Sequence, residues 1–451
     1  MKTNKNFLEE YTLLGELGEG GFAKVYKVRH NELGYIRAIR VLNETITNEY
    51  SKAYQNFLRE CKVLLRLGNG SHPHIVHIYQ PRLLENRALV EMDYVEGKNI
   101  SSFLQDNKNF VSVNEVIHMI KDIASALAYC HEDIYRFCVD PDEDNIENDP
   151  FDGSKLQIDS KTEKHLIDKY KVIHNDIHSG NIMRREDGSF VLLDFGLAIT
   201  GKDDVRNSSR HIQGRIEFKA PEKWENDEIL TEQSDIYSFG IAIYEYLAGR
   251  VPFPLDSGIQ NRTEAEFNLY KSHKEQIPPP INDVRKAFFE SNNQGQEYTK
   301  DYPSWLEDII FRCLAKDPKD RPSAKDIIRF IDEHTKKDIN VMVQSLKTEN
   351  ISLIENIKSI EAKNIELNQQ LNELIKSHSE PKKRFRYLSY ILGVVLGIGL
   401  CYLFDKTIYK PKTIIPDTRV DSLNAVIARK NDTIYQQQQK IDRFIFDMLN
   451  E

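Results

Sequence analysis

Residues Val172–Gly196 read VIHNDIHSGNIMRREDGSFVLLDFG. Two short apolar runs within them, Val172–Ile173 and Phe190–Leu193, are bounded by polar clusters and are expected as strands. The first leads into a loop carrying His174, Asp176 and Asn181; the second leads into Asp194, Phe195 and Gly196. An Asp, an Asn five residues on and a second Asp eighteen residues after the first form the set that metal-assisted phosphoryl transfer needs. One carboxylate orients a hydroxyl, while the amide oxygen and the other carboxylate hold Mg²⁺ against phosphates.

Around this stretch lies a chain of 451 residues, long enough for more than one domain and a large core. It is 40% hydrophobic and 29% charged, an ordinary globular balance. A net charge of −9 gives no broad basic surface, so nucleic acid is excluded as the main partner. Cys61, Cys130, Cys138, Cys313 and Cys401 lack metal-ligand spacing and are expected as reduced thiols. The opening MKTNKNFLEEY has no apolar run, so no signal peptide is expected.

H-x-D-x-x-x-x-N followed by D-F-G resembles the eukaryotic-type protein kinase family. The resemblance implies an α+β, bilobal protein kinase fold over residues 11–334, with a small β-rich lobe and a large helical lobe. It implies ATP and Mg²⁺ as cofactors and proteins as substrates. Tyr11–Val28, YTLLGELGEGGFAKVYKV, matches the glycine-rich loop, with Leu17, Gly18, Gly20, Phe22 and Val25 as nucleotide contacts and Ala23 where the family has a third glycine. A strand, not a helix, follows these glycines, unlike a dinucleotide-binding fingerprint. YIRAIRVL, residues 35–42, matches the strand whose lysine holds the α- and β-phosphates; Ala38 is a further nucleotide contact and Arg40 stands in the lysine position. Glu60, on an amphipathic segment over 51–67, is the expected partner of Arg40. Met92 falls at the gatekeeper position, and Asp93 and Val95 at the hinge. Asp176 is then the candidate base, and Asn181 and Asp194 the candidate metal ligands.

Further motifs extend the match. Ala220-Pro221-Glu222 ends the activation segment, with Arg321 as the expected buried partner of Glu222. Asp235 is expected to cap the backbone of the catalytic loop, and His174 to pack on Phe195. Three departures bear on the chemistry. Arg40 keeps the charge of the usual lysine but presents a planar fork. His178 stands where serine/threonine kinases place a lysine, so charge stabilisation is expected to depend on imidazole protonation. Arg215 replaces a threonine that bonds the catalytic Asp and Lys in the family. A fully active kinase and a nucleotide-binding scaffold (a pseudokinase) are therefore both open. His178 also gives H-x-D-x-H-x-x-N, as in small-molecule phosphotransferases, but those lack the A-P-E motif and the helices that follow it.

Between the helix expected over 113–131 and the catalytic loop, residues 132–171 hold twelve Asp or Glu and are expected as a solvated acidic insertion. Beyond 334, Ile339, Leu346, Leu353, Ile360, Leu367 and Leu374 recur every seven residues, preceded at three by Val343, Asn350, Ile357, Asn364 and Leu371. That a/d pattern predicts a coiled coil over 335–380 and a homodimer through 339–374, with the two Asn favouring a parallel pair. Leu388–Phe404 is 17 residues without a charge, flanked by Lys382, Lys383, Arg384 and Arg386. With Tyr387 it is expected to cross a lipid bilayer once, with the kinase domain in the cytoplasm and residues 405–451 as a short outer tail, a layout resembling bacterial receptor-like serine/threonine kinases.

Overall fold

The computed structural model describes residues 10–19, 23–45, 48, 50, 52–68, 71–84, 86–106, 110–139, 159–200, 215–224, 230–292 and 298–377. Gly20, Phe22, the acidic run 140–149, the apolar segment 387–404 and the tail 405–451 lie outside them, as does the side chain of Glu60. Two compact units divide the chain, residues 1–344 and 345–451.

The first unit opens on a five-stranded antiparallel sheet of order β1-β2-β3-β5-β4. Its strands are β1 (Tyr11–Glu19), β2 (Ala23–His30), β3 (Ile36–Thr45), β4 (Ile78–Leu84) and β5 (Arg87–Asp93). Side chains alternate faces along a strand, so β3 sorts itself. Ile39 packs with Val28 and Leu89 on one face, while Ala38 and Arg40 share the other. Register places Arg40 opposite Val25 on β2 and Val90 on β5, and Ala38 opposite Met92. Helix α1 (Lys52–Gly68) lies between β3 and β4 in sequence and buries Cys61, Val63 and Leu67.

The helical lobe follows. Strand β6 (Gly97–Asn99) leads into α2 (Ile100–Asp106) and α3 (Val113–Ala128). Ser112 caps α3 by accepting from the Glu115 N–H, and its apolar face, including Val116, Ile120, Ile123 and Leu127, is buried. The described flanks of the acidic insertion are structured. A π-helical turn (Tyr129–Asp133) and a 3-10 turn (Ile134–Phe137) continue the chain, and α4 (Ser160–Tyr170), capped by Asp159, brings it back. Tyr135, Val139, Leu166 and Tyr170 form a small core of their own, and the Tyr135 hydroxyl donates to Glu163 at 2.6 Å. Both flanks of the insertion are thus packed, because its few apolar residues are spaced to meet one another despite the charge around them.

Strands β7 (Val172–Ile173), β8 (Ile182–Arg185), β9 (Phe190–Leu192) and β10 (Ile199–Thr200) carry the motif loops; β6-β8-β9 form one small sheet and β7 pairs with β10. Helix α5 (Glu232–Ala248) runs through the lobe almost wholly buried, started by Thr231 and ended at Gly249, whose φ of +83° suits a residue without Cβ. Helices α6 (Arg262–Glu275), α7 (Ile281–Asn292) and α8 (Ser304–Cys313) complete the lobe. Helix α9 (Ala324–Ser377) runs 54 residues without Pro or Gly. Its start is anchored by buried Ala324, Ile327 and Ile331 and by the Trp305 indole N–H donating to Asp338 at 2.8 Å. In the second unit the heptad residues Leu346, Leu353, Ile357, Ile360 and Leu367 are all exposed. Among the described residues no helix is long and apolar enough to cross a membrane.

Candidate active site

A cleft of about 690 Å³ opens between the sheet and the helical lobe. Leu17, Gly18, Ala23 and Val25 line it from β1 and β2, and Ala38 and Arg40 from β3. Val90, Met92, Asp93 and Val95 line its hinge side; Met183 and Leu193 are apolar contributions from the other lobe. Asp176, His178, Asn181 and Asp194 line it too. The nucleotide contacts and Arg40, Asp176, His178, Asn181 and Asp194 therefore border one cavity; Gly20, Phe22 and the Glu60 side chain lie outside the described residues, and Arg215 does not line the cavity. Tyr94, Lys98, Ser102 and Asp106 also line it and carried no sequence signal.

The hinge is braced from outside the cleft. Arg37, on the other face of β3, lies over the Tyr35 and Tyr79 rings at 4.6 and 4.1 Å. Its guanidinium is 3.7 Å from the Asp93 carboxylate, which also accepts from the Tyr79 hydroxyl at 2.7 Å.

The catalytic loop hangs from α5. Asp235 accepts the His174 N–H at 2.7 Å and the Asn175 N–H at 2.8 Å, and the buried His131 ring lies 2.9 Å away. Burial alone would raise the Asp235 pKa, but His131 and these N–H groups hold it below the usual carboxylate range. The His174 ring stacks near Phe195 with centroids 4.5 Å apart, and its Nε2 pairs with the Leu193 carbonyl at 2.8 Å. Both motif loops turn through left-handed backbone, Asn175 at φ +67° and Asp194 at φ +52°. Such conformations are uncommon for residues other than glycine and concentrate at functional sites.

Asn181 donates its amide to the Asp176 carbonyl at 2.9 Å, which fixes the amide plane and turns its oxygen the other way. Asp194 accepts the Gly196 N–H at 3.1 Å, and the Arg40 guanidinium lies 3.6 Å from the same oxygen. Burial raises the Asp194 pKa, yet Arg40 and this N–H outweigh it and keep the carboxyl below its ordinary range. Asp176 is the converse: burial raises its pKa and Asp194 adds to the effect, while His174, Lys223 and Asn181 only partly offset them. No cluster of three or more His, Cys, Asp or Glu fit to hold a metal occurs among the described residues. Mg²⁺ in phosphate sites takes only one or two protein oxygens, the rest coming from phosphates and water, so the Asn181 amide oxygen and the Asp194 carboxylate suit it.

The sequence makes charge stabilisation at His178 depend on imidazole protonation, and the surroundings of the ring disfavour it. Burial, then the positive charge of Arg215, push its pKa down to about 3. Its Nδ1 accepts the Gly180 N–H at 3.0 Å, which requires a lone pair there. These surroundings favour the neutral imidazole, whose Nε2 lies 3.7 Å from Asp176. Lys223, which sequence reasoning passed over, is a further basic group at this loop. Its buried amine donates to the Asn175 carbonyl at 2.5 Å; burial pushes its pKa below the ordinary lysine range, and Asp235, Asp176 and Glu222 only partly offset this. The one available signal was a lysine directly after A-P-E. Glu222 itself pairs with Arg321 as expected, through two bonds of 2.6 and 2.8 Å.

Comparison with known proteins agrees with this geometry. The Protein kinase domain family matches residues 11–138 and 164–330. The gap in the match falls within the acidic insertion. A probable serine/threonine-protein kinase of Clostridium acetobutylicum is 26% identical over 311 residues, 69% of this chain and 37% of that protein. The probable serine/threonine-protein kinase PknB of Lactococcus lactis is 25% identical over 322 residues, covering 71% and 41%. The serine/threonine-protein kinase PrkC of Bacillus subtilis is 23% identical over 429 residues, covering 92% and 56%. The chain thus spans between 37% and 56% of the length of these relatives. With the family matched across both lobes and the motif residues gathered in one cleft, the chain belongs to the protein kinase family.

Proposed function

We propose that this chain transfers the γ-phosphate of ATP to Ser or Thr of proteins, beginning with a second copy of itself. The observation that carries the reading is the meeting of Asp176, Asn181 and Asp194 in one cleft beneath β3. Asp176 orients the acceptor hydroxyl and takes its proton; its raised pKa suits a group that must hold a proton briefly. Asn181 and Asp194 are the ligands for Mg²⁺, which would neutralise charge on the phosphates. Arg40 supplies a permanent positive charge above them. Asp235 and Lys223 hold the loop that presents Asp176.

A second reading, a nucleotide-binding scaffold, is favoured by Arg40 in the lysine position and by the neutral state of His178. Incubating the full chain with γ-labelled ATP, Mg²⁺ and a generic protein acceptor separates the two. Label on Ser or Thr, lost in Asp194→Ala, supports catalysis. Nucleotide binding without label leaves the scaffold.

In the cell we place this domain on the cytoplasmic side of a membrane, with 387–404 crossing it and 405–451 outside. The uncharged segment and its basic flank support this. Release of the chain from membranes by alkaline carbonate would overturn it. The exposed heptad seam supports a parallel homodimer, in which Asn350 and Asn364 each meet their own copy. A single-chain mass for the full protein in analytical ultracentrifugation would defeat that.

A further inference from the structure

The last turn of α1 rests on the flank of the insertion. The half-buried Arg66 guanidinium lies over the Tyr170 ring, 5.5 Å from its centroid, within reach of a cation–π attraction. One residue on, the carbonyl of buried Leu67 accepts the Tyr129 hydroxyl at 3.2 Å. Tyr129 opens the π-helical turn, and its ring meets that of Phe137, in the 3-10 turn, at 5.8 Å. Tyr170 ends α4, and that helix begins within residues 139–163, the stretch that the family match leaves out. Arg66 thus ties α1 to a helix that starts outside the family pattern.

The seat that receives α1 is itself anchored. Lys171, directly after α4, pairs with Asp168 of α4 and Glu232 of α5, both at 2.9 Å. Lys325, at the start of α9, reaches Asp133 at 2.9 Å and Glu132 at 3.2 Å on the π-helical turn. Leu166 and Tyr170 are buried in the small core. Glu60 lies six residues before Arg66 on α1, about 9 Å along the helix. A kinase cleft is assembled only when the acidic residue of this helix reaches the cation of the third strand. Whatever fixes the last turn of α1 therefore bears on where Glu60 stands.

We propose that α4 is a strut that fixes α1 against the helical lobe through Arg66 and Tyr170, which makes these two residues positioning residues for the cleft. Neither lines the cleft itself. The inference rests on the reading of that cleft as a kinase site and names what holds its helix in place. The insertion then serves the chemistry through its packed flank, at a distance from the nucleotide.

The test is amide hydrogen exchange of the full chain, with affinity for a fluorescent ADP analogue in Mg²⁺ read alongside and thermal unfolding reporting on the fold. Arg66→Gln removes the cation, and Arg66→Lys keeps one. Lys169→Gln is the control: its ammonium lies 4.8 Å from the same ring centroid but belongs to α4. In Arg66→Gln the amides of α1 are expected to exchange about threefold faster, with α5 as protected as before and ADP bound about threefold more weakly. Arg66→Lys is expected to restore both, and Lys169→Gln to leave α1 unchanged. Unchanged exchange of α1 in Arg66→Gln overturns the inference, as does equal loosening of α5 or of α1 in Lys169→Gln. Loosening of α1 with ADP affinity unchanged overturns the positioning role. A natural chain that binds no ADP defeats the kinase reading instead, while exchange of α1 still decides whether the strut exists.

Discussion

Among this domain's arginine–carboxylate pairs, two are built to opposite ends. Arg321 and Glu222 are both buried, and every donor nitrogen of the guanidinium is in use. Nη1 and Nη2 bond the two carboxylate oxygens, and Nε, Nη1 and Nη2 also reach the carbonyls of Ala315, Gln233 and Lys316. Ser234 donates to the same carboxylate at 2.8 Å. Arg40 and Asp194 touch at a single, longer distance, with one partner open to the cleft. The first pair locks the segment after A-P-E to the lobe. The second joins two lobes loosely and leaves a carboxylate accessible to ligands. A buried pair with all its hydrogen bonds made costs most when it is half removed, whereas an open pair costs little.

The largest expected effect is therefore on stability, away from the cleft. Glu222→Ala strands the Arg321 charge and should destabilise the domain by about 3–5 kcal/mol in urea unfolding. Arg40→Gln should cost less, because Asp194 stays open to water and is not stranded in the interior when the guanidinium is lost. Equal losses at the two sites would erase the contrast.

Acid should separate the pairs next. Burial raises the Glu222 pKa, but Arg321 and Ser234 more than reverse this, leaving it below its ordinary 4.5. A depressed folded pKa contributes stability that is present above the unfolded value and is lost as pH falls through the folded one. The urea midpoint should therefore drop as pH descends below 4.5, and Glu222→Gln should be less stable at neutral pH with a flatter acid limb. An unchanged slope in the variant would show that other carboxylates govern acid unfolding.

The smallest effect concerns His178. With its pKa pushed down to about 3, the ring does not change charge near its ordinary value of 6.5. Phosphorylation rate should show no inflection there that His178→Gln removes. An inflection abolished by that substitution would return the imidazole to a charged role.

Much of the cleft was legible because its parts are local. The short runs before each loop place Asp176 and Asp194, and the family resemblance places Ala38 and Arg40 on one strand. The pairing of Glu222 with Arg321, 99 residues apart, was legible only through the family resemblance. What escaped depends on burial. Neutral His178 is a product of its surroundings, since the same residue in water would titrate near its ordinary value. Lys223 became visible only when folding brought its amine under the Asn175 carbonyl. The core of Tyr135, Val139, Leu166 and Tyr170 was hidden because acidic composition dominates the segment while its packing is decided by four residues.

The central claim is that these residues move phosphate rather than merely hold it. Mixing the natural full chain with an Asp194→Ala copy, distinguishable by mass, and adding γ-labelled ATP with Mg²⁺ tests it most directly. The account predicts label on Ser or Thr of the inert copy, and none when both chains carry Asp194→Ala. Bound nucleotide with no label on either chain would contradict it.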